Sequence, residues 1–247
     1  MMNMSNCGKI KYGGICVIGD KTYRYRRAEL SDVGQISAIY EQIRIDKNNY
    51  KTRLSDDSPL RFEKRGGMFI VMDEREIAET IADEDSFWAV FRDEDGNVAG
   101  FFWFSEKNEY YKGLKYEHID NCIYPREVAV SPGSGSKSVA QAMYITCARA
   151  FLEAGYTTGA ADLYRVLRYE TEDGVFDTDQ TNIPSQKAVE AIGAKFAEPL
   201  PRRVIHLDGL TVTIEPQMYI FDYQVIADLY KTVSEESHIR IIGGNEA

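Results

Sequence analysis

"REVAVSPGSGSKSVAQAMY", Arg126 to Tyr144, decides how this chain is read. An alternating apolar run, "EVAV", ends at Pro132. Apolar residues then recur at helical spacing through Val139, Met143, Cys147, Ala150 and Ala154, which predicts a buried helix over about Ser138 to Ala154, stopped by Gly155. Between them stands Gly-Ser-Gly-Ser. A turn that leaves a strand and opens a helix gathers backbone N–H groups at the positive end of the helix dipole, which is a cradle for an anion. Gly133 and Gly135 permit the backbone angles such a cradle needs, and Ser134, Ser136, Ser138 and Ala140 are small enough to let a phosphate reach the main chain. Lys137 adds a positive charge. A mobile linker that binds nothing has the same composition, but it gives no reason for the position of the loop between a strand and a helix. A nucleotide P-loop requires a glycine where Ser131 stands, and its spacing is incomplete here.

Outward from this unit the order of elements is mixed. "TYRYRRA" alternates as a strand, and Val33, Ile36, Ile39, Tyr40 and Ile43 form one helical stripe behind Ser31, read as the cap. "SFWAVFRDEDGNVAGFFWFSE" is a hairpin with strands over Phe87 to Arg92 and Val98 to Ser105, its aromatic residues read as core. After the central helix come a strand, "TTGAADLYRVL", and an acidic loop, "RYETEDGVFDTDQT". A short helix in "IPSQKAVEAIGAKF" follows, then two strands joined at Asp208-Gly209 and a last helix over Val225 to Glu235. A short helix is expected in "EREIAETIA". The expected organisation is a single domain over 21–224 with insertions at 46–85 and 166–181, an N-terminal extension over 1–20 and a C-terminal helical extension over 225–247.

Two stretches, in order, resemble a known family. "EVAVSPGSGSKSVAQAM" resembles motif A of the GNAT superfamily of acetyl-CoA-dependent N-acyltransferases, through Val130, Pro132 and Ala140, with Gly135 where Gln or Arg is usual and Ser138 in place of the central glycine. "NIPSQKAVEAIGAKF" resembles motif B, notably in the branch of the ribosomal-protein alanine acetyltransferases, through Asn182, Ser185, Gly193 and Phe196. The resemblance implies an α+β fold with a mostly antiparallel central sheet flanked by helices. It implies acetyl-CoA as co-substrate and no metal. The pyrophosphate would lie on Gly133, Ser134, Gly135, Ser136, Lys137, Ser138, Val139 and Ala140. The pantetheine arm would run along Val128 and Val130, between strands that splay apart near Val130 and Ala161, with Asn182 and Ser185 beside it.

Acyl transfer from a thioester to an amine needs a base for the amine, a donor to the oxyanion and a proton for the thiolate. Glu127, on the strand face opposite Val128 and Val130, is the candidate base; its alternative is a carboxylate paired with a neighbour such as Arg126. The resemblance makes the Val130 amide the oxyanion donor. Val189 stands where the resemblance would place a tyrosine acid, so either Tyr164, at the end of the following strand, substitutes for it or the thiolate leaves without an acid. Glu170, Glu172, Asp173, Asp177 and Asp179 are read as a solvated loop or as a lure for a cationic acceptor.

Composition bounds the rest. With 247 residues, 44% hydrophobic, the chain can fill a large core, and a formal charge of −10 argues against nucleic-acid binding. No apolar run approaches the roughly 20 residues that span a bilayer, and the first residues carry no signal-peptide core, so a cytoplasmic protein that does not enter the membrane is expected. Four scattered cysteines and three histidines signal neither a disulfide framework nor a metal site. Strand edges are compatible with a homodimer. A catalytic N-acyltransferase acting on a primary amine and a GNAT-fold protein that binds acyl-CoA without turnover both satisfy the pattern.

Overall fold

In the computed structural model, residues 7–55, 57–107, 111–134, 137–236 and 239–244 are described. The chain divides into two compact units: residues 1–39, 72–160 and 221–247 form one, and residues 40–71 and 161–220 the other.

The first unit is built on a six-stranded antiparallel sheet. Its strands are β1 (Gly13–Ile18), β2 (Lys21–Arg27), β3 (Ser86–Arg92), β4 (Val98–Ser105), β5 (Tyr124–Val130) and β11 (Ile239–Gly244), ordered β11-β1-β2-β3-β4-β5. Both ends of the chain therefore enter this sheet. Residues 13–18 and 239–244 carry too few strand signals to be assigned locally, and they are fixed by pairing with each other and with β2. The β3–β4 hairpin lies where the aromatic run predicts it, and all but one residue in each strand is buried. On one face Phe87, Phe102 and Phe104 meet α5 (Lys137–Glu153), with ring centroids 4.4 Å apart for Phe102–Tyr144 and 4.6 Å for Phe104–Phe151. α7 (Tyr223–Glu236) packs on α5 through Tyr223 against Phe151.

The entry to α1 (Val33–Ile43) differs from expectation. A tight turn over Leu30–Asp32 precedes the helix, and Asp32 rather than Ser31 organises it. The fully buried Asp32 carboxylate accepts from Arg26 Nη1 at 2.8 Å, Arg26 Nη2 at 3.0 Å and the Glu29 amide at 2.8 Å, and Arg92 also donates to it. Burial alone would raise this carboxyl, but the donors outweigh it and hold it below the usual carboxylate range.

The second unit carries a five-stranded sheet. β7 (Gly174–Thr181), β6 (Thr158–Thr171), β10 (Leu210–Asp222) and β8 (Lys195–Pro199) follow one another in it, and β9 (Arg203–Leu207) also pairs with β10. The turn at Asp208-Gly209 joins β9 and β10, with Gly209 at φ 69°. α2 (Tyr50–Leu54), α3 (Phe62–Arg65) and α6 (Ile183–Ala191) belong here, whereas α4 (Glu74–Ala82) lies in the first unit. Tyr50, Leu54, Phe62 and Phe69 pack with Val166, Val212 and Ile214 as the core.

The acidic segment read as a loop is a β6–β7 hairpin, in register from Arg165 opposite Thr181 to Thr171 opposite Gly174. Three of its five carboxylates are partnered: Asp179 with Arg165 at 2.6 Å, Asp177 with Arg168 at 2.8 Å, and Asp173 with Lys51 at 2.8 Å and the Tyr50 hydroxyl at 3.0 Å. Cross-strand charge pairing and the stacked rings of Tyr169 and Phe176, 4.9 Å apart, stabilise a strand pair that hydropathy alone conceals.

Two stability predictions follow from this packing. Asp32→Ala leaves two guanidinium groups beside a buried void and should cost about 3 kcal/mol in urea unfolding at pH 7. Because the folded-state pKa of Asp32 is depressed, its contribution is present above the usual carboxylate range and fades as pH falls through the folded value, so the gap to wild type should narrow in acid. Gly66 has φ 63°, and a Cβ there would stand 2.9 Å from Asn182 Oδ1. Gly66→Ala should therefore cost about 1 to 2 kcal/mol, read from the same unfolding midpoint.

Candidate active site

β5 delivers its last residues to the loop singled out in the sequence. The ladder closes with the Ser131 amide donating to the Ala99 carbonyl at 2.8 Å, and Pro132–Ser134 then makes one tight turn. Within that turn the Ser134 amide and hydroxyl both donate to the Ser131 carbonyl, at 2.9 and 2.7 Å. The expected cradle thus loses the Ser134 amide to an internal bond. Gly135 and Ser136 lie outside the described residues, as does the side chain of Lys137. α5 opens at Lys137, and a helix has no intrahelical acceptors for the amides of its first turn. Ser138 and Ala140 are partly exposed there, while the Val139 side chain is buried in the core and offers only its backbone.

Beside Ser131 and Ser134 lies a cavity of about 410 Å³, whose wall also carries Lys21, Asp93, Glu94 and Asp95. Three carboxylates repel phosphate, so the α5 side is the end of this loop suited to an anion.

Strand pairing around the loop is tight. At Gly100, opposite Val130, a Cβ would stand 2.9 Å from the Ala129 carbonyl and 3.0 Å from Met143 Sδ. Only a residue without a side chain lets β4, β5 and α5 approach this closely. Nothing in the sequence singles out Gly100, since one glycine in an aromatic strand carries no contact information.

Glu127 sits on β5 directly opposite Trp103 of β4, which is itself opposite Trp88 of β3. The carboxyl is partly buried, and desolvation by the surrounding protein pushes it up to about 8. Arg126 donates to the Lys107 carbonyl and lies 5.7 Å from the Tyr124 ring centroid. Val128 and Val130 are partly buried, and Ala129 is buried. A carboxyl whose proton comes off near neutrality is suited to taking a proton from an amine.

The residues of the second motif stand in the second unit. Asn182 is nearly buried and caps α6, its side chain accepting from the Ser185 amide at 3.1 Å. The motif therefore has a local structural reason beside any role in a ligand site. Val189 is buried on α6. The Tyr164 ring packs against the core of the second unit, and its carbonyl accepts from the Asn182 amide at 3.2 Å.

Cys122, two residues before β5, makes one isolated parallel bridge with Thr158, and β5 and β6 are strands of separate sheets. Among the described residues no group of three or more His, Cys, Asp or Glu is placed to hold a metal, and no helix is long and apolar enough to cross a membrane. All four cysteines are buried thiols.

No family model matches the sequence, and no curated protein matches it significantly. Solved structures do match the fold. Mycobacterium smegmatis RimJ in complex with CoA-disulfide is similar with a TM-score of 0.56 and 11% identity, over 91% of this chain and 96% of its own. The GNAT domain of S. lividans PAT gives 0.51 at 15% identity, over 85% of this chain and 96% of its own. A probable GNAT-family acetyltransferase from Chromobacterium violaceum gives 0.51 at 13% identity over 87% and 89%. The mixed α/β chain, with its antiparallel sheets flanked by helices, has the fold of the GNAT acetyltransferases.

Proposed function

We propose that this protein is an N-acyltransferase that moves an acetyl group from acetyl-CoA directly to a primary amine of a small molecule or protein. The observation that carries the reading is Glu127. A desolvated carboxyl, pushed up to about 8, stands on the strand that runs into the loop and first turn of α5, in a fold shared with acetyltransferases. Coenzyme A fits the available groups. Its pyrophosphate would meet the positive end of a 17-residue helix, where Ser138 and Ala140 leave room, beside Gly133 of the preceding turn.

Bound acetyl-CoA supplies the thioester; the chain supplies the rest. Glu127 accepts the proton of the ammonium, directly or through water, and so presents a neutral amine. The Val130 amide is the proposed donor to the developing oxyanion. Tyr164 is the proposed source of the thiolate's proton, to be tested by Tyr164→Phe: a fall in kcat of about tenfold or more supports it, and an unchanged kcat removes it.

A second reading, an acyl-CoA-binding protein without turnover, is favoured by one observation: relatives place a tyrosine acid where this chain buries Val189. Thiol release with any amine separates the two.

Isothermal titration is expected to give saturable binding of acetyl-CoA and coenzyme A and none of ATP. In Ser138→Glu, which sets charge and bulk at the first turn of α5, that binding should fall at least about tenfold. Loss of binding in the wild type would remove the proposal. In the pH profile of kcat/KM, an acidic limb near 8 should vanish in Glu127→Gln, with a fall in rate of about 10²-fold or more. The raised folded-state pKa of Glu127 also makes the folded state lose stability as pH rises through about 8. Glu127→Gln should accordingly melt at a higher temperature than wild type at pH 9, which separates a poised acid from a misfolded variant.

A further inference from the structure

Position 127 ends a row. Trp88, Trp103 and Glu127 stand directly across from one another on β3, β4 and β5, on the sheet face opposite α5. The two indoles are stacked, with centroids 5.5 Å apart and planes 11° from parallel. Trp88 is buried and also lies 5.6 Å from Phe101, while the Trp103 Nε1 donates to the Ser86 hydroxyl at 3.4 Å. These contacts fix the Trp103 ring. Because the stack runs across the strands, at the spacing of neighbouring strands, the face of Trp103 turned away from Trp88 looks along the row toward Glu127. Trp103 is also the one residue of β4 with solvent access, every other being buried.

The geometry points to Trp103 as a specificity-determining residue of the acceptor site: its indole face and the Glu127 carboxylate together take an aliphatic primary amine in its ammonium form. This inference rests on the acyltransferase reading. An indole face attracts an ammonium through its quadrupole, more strongly the more the pair is desolvated, and indole is the strongest of the aromatic side chains in this respect. The same face disfavours a carboxylate beside it, so an empty site holds Glu127 protonated and an arriving ammonium stabilises its ionised form. The proton balance then closes. As the ammonium arrives the Glu127 proton leaves to solvent; R–NH₃⁺ then gives one proton to the Glu127 carboxylate; the neutral nitrogen bonds to the thioester carbonyl carbon; the C–S bond breaks as Tyr164 protonates the thiolate; and the second proton leaves nitrogen to restore Tyr164, giving amide and thiol. Neutral hydroxyl compounds and carboxylates of the same size lack the charge this pair selects.

The test exploits composition, since Trp88 and Trp103 are the two tryptophans of the chain and its indole emission reports on this row alone. The full chain is titrated with n-butylammonium, and with n-butanol as neutral control, with and without free coenzyme A; coenzyme A binding is measured by calorimetry in parallel. Saturable change of emission with n-butylammonium and none with n-butanol is expected. In Trp103→Phe, which keeps a ring, the Kd should rise about threefold, and in Trp103→Leu, followed by the NMR line width of the amine itself, about tenfold or more. Circular dichroism and the coenzyme A affinity should stay unchanged in both. Equal response to n-butanol, absence of saturable binding, or full binding retained in a folded Trp103→Leu overturns the inference. Ammonium binding through Trp103 with no coenzyme A binding retains the cation site and overturns the acyltransferase reading instead.

Discussion

Register across the β3–β4–β5 ladder is the constraint on which the rest of the first unit depends. Side chains alternate between faces along a strand, so a slip of one residue would exchange the two aromatic sets of this ladder. In the observed register Phe87, Phe102 and Phe104 face α5 and hold it against the sheet, while Trp88, Trp103 and Glu127 form the row on the other face. Gly100 makes that register attainable at its tightest point, where the β5 backbone and Met143 leave no space for a side chain. The placement of the helix that begins after the Gly/Ser loop and the desolvation of Glu127 are thus two consequences of a single strand pairing.

Charge is handled differently in the two units. In the first, one buried carboxylate, Asp32, gathers Arg26, Arg92 and the Glu29 amide and organises the turn into α1. In the second, the acidic run before α6 is partnered across the β6–β7 hairpin and to Lys51 and Tyr50. Three of its five carboxylates therefore serve strand pairing and local anchoring, which weakens the idea of an open acidic surface that draws cations in. Attraction of a cationic acceptor is better served by a desolvated pair such as Trp103 and Glu127, where water screens less.

The amino-acid pattern alone was enough for the central unit. Alternation in "EVAV", the helical spacing from Val139 to Ala154 and the aromatic hairpin locate β5, α5, β3 and β4 to within a residue or so, because each is a long periodic segment with strong local signals. Glu127 was legible as well, since its place on the strand follows from alternation. Motif B was legible as an asparagine before a helix, and its capping bond is local.

The remainder was settled by contacts distant in sequence. β1 and β11 are short and weakly patterned, and they become strands by pairing across more than two hundred positions. The β6–β7 hairpin is rich in charged residues, so part of its stability comes from cross-strand ion pairs and from the Tyr169–Phe176 stack, which periodicity does not register. Trp103 was read as core together with its neighbours. Its partial exposure, its stacking on Trp88 and its position against Glu127 depend on which strands become neighbours, and pairing order is a property of the folded sheet rather than of any one segment.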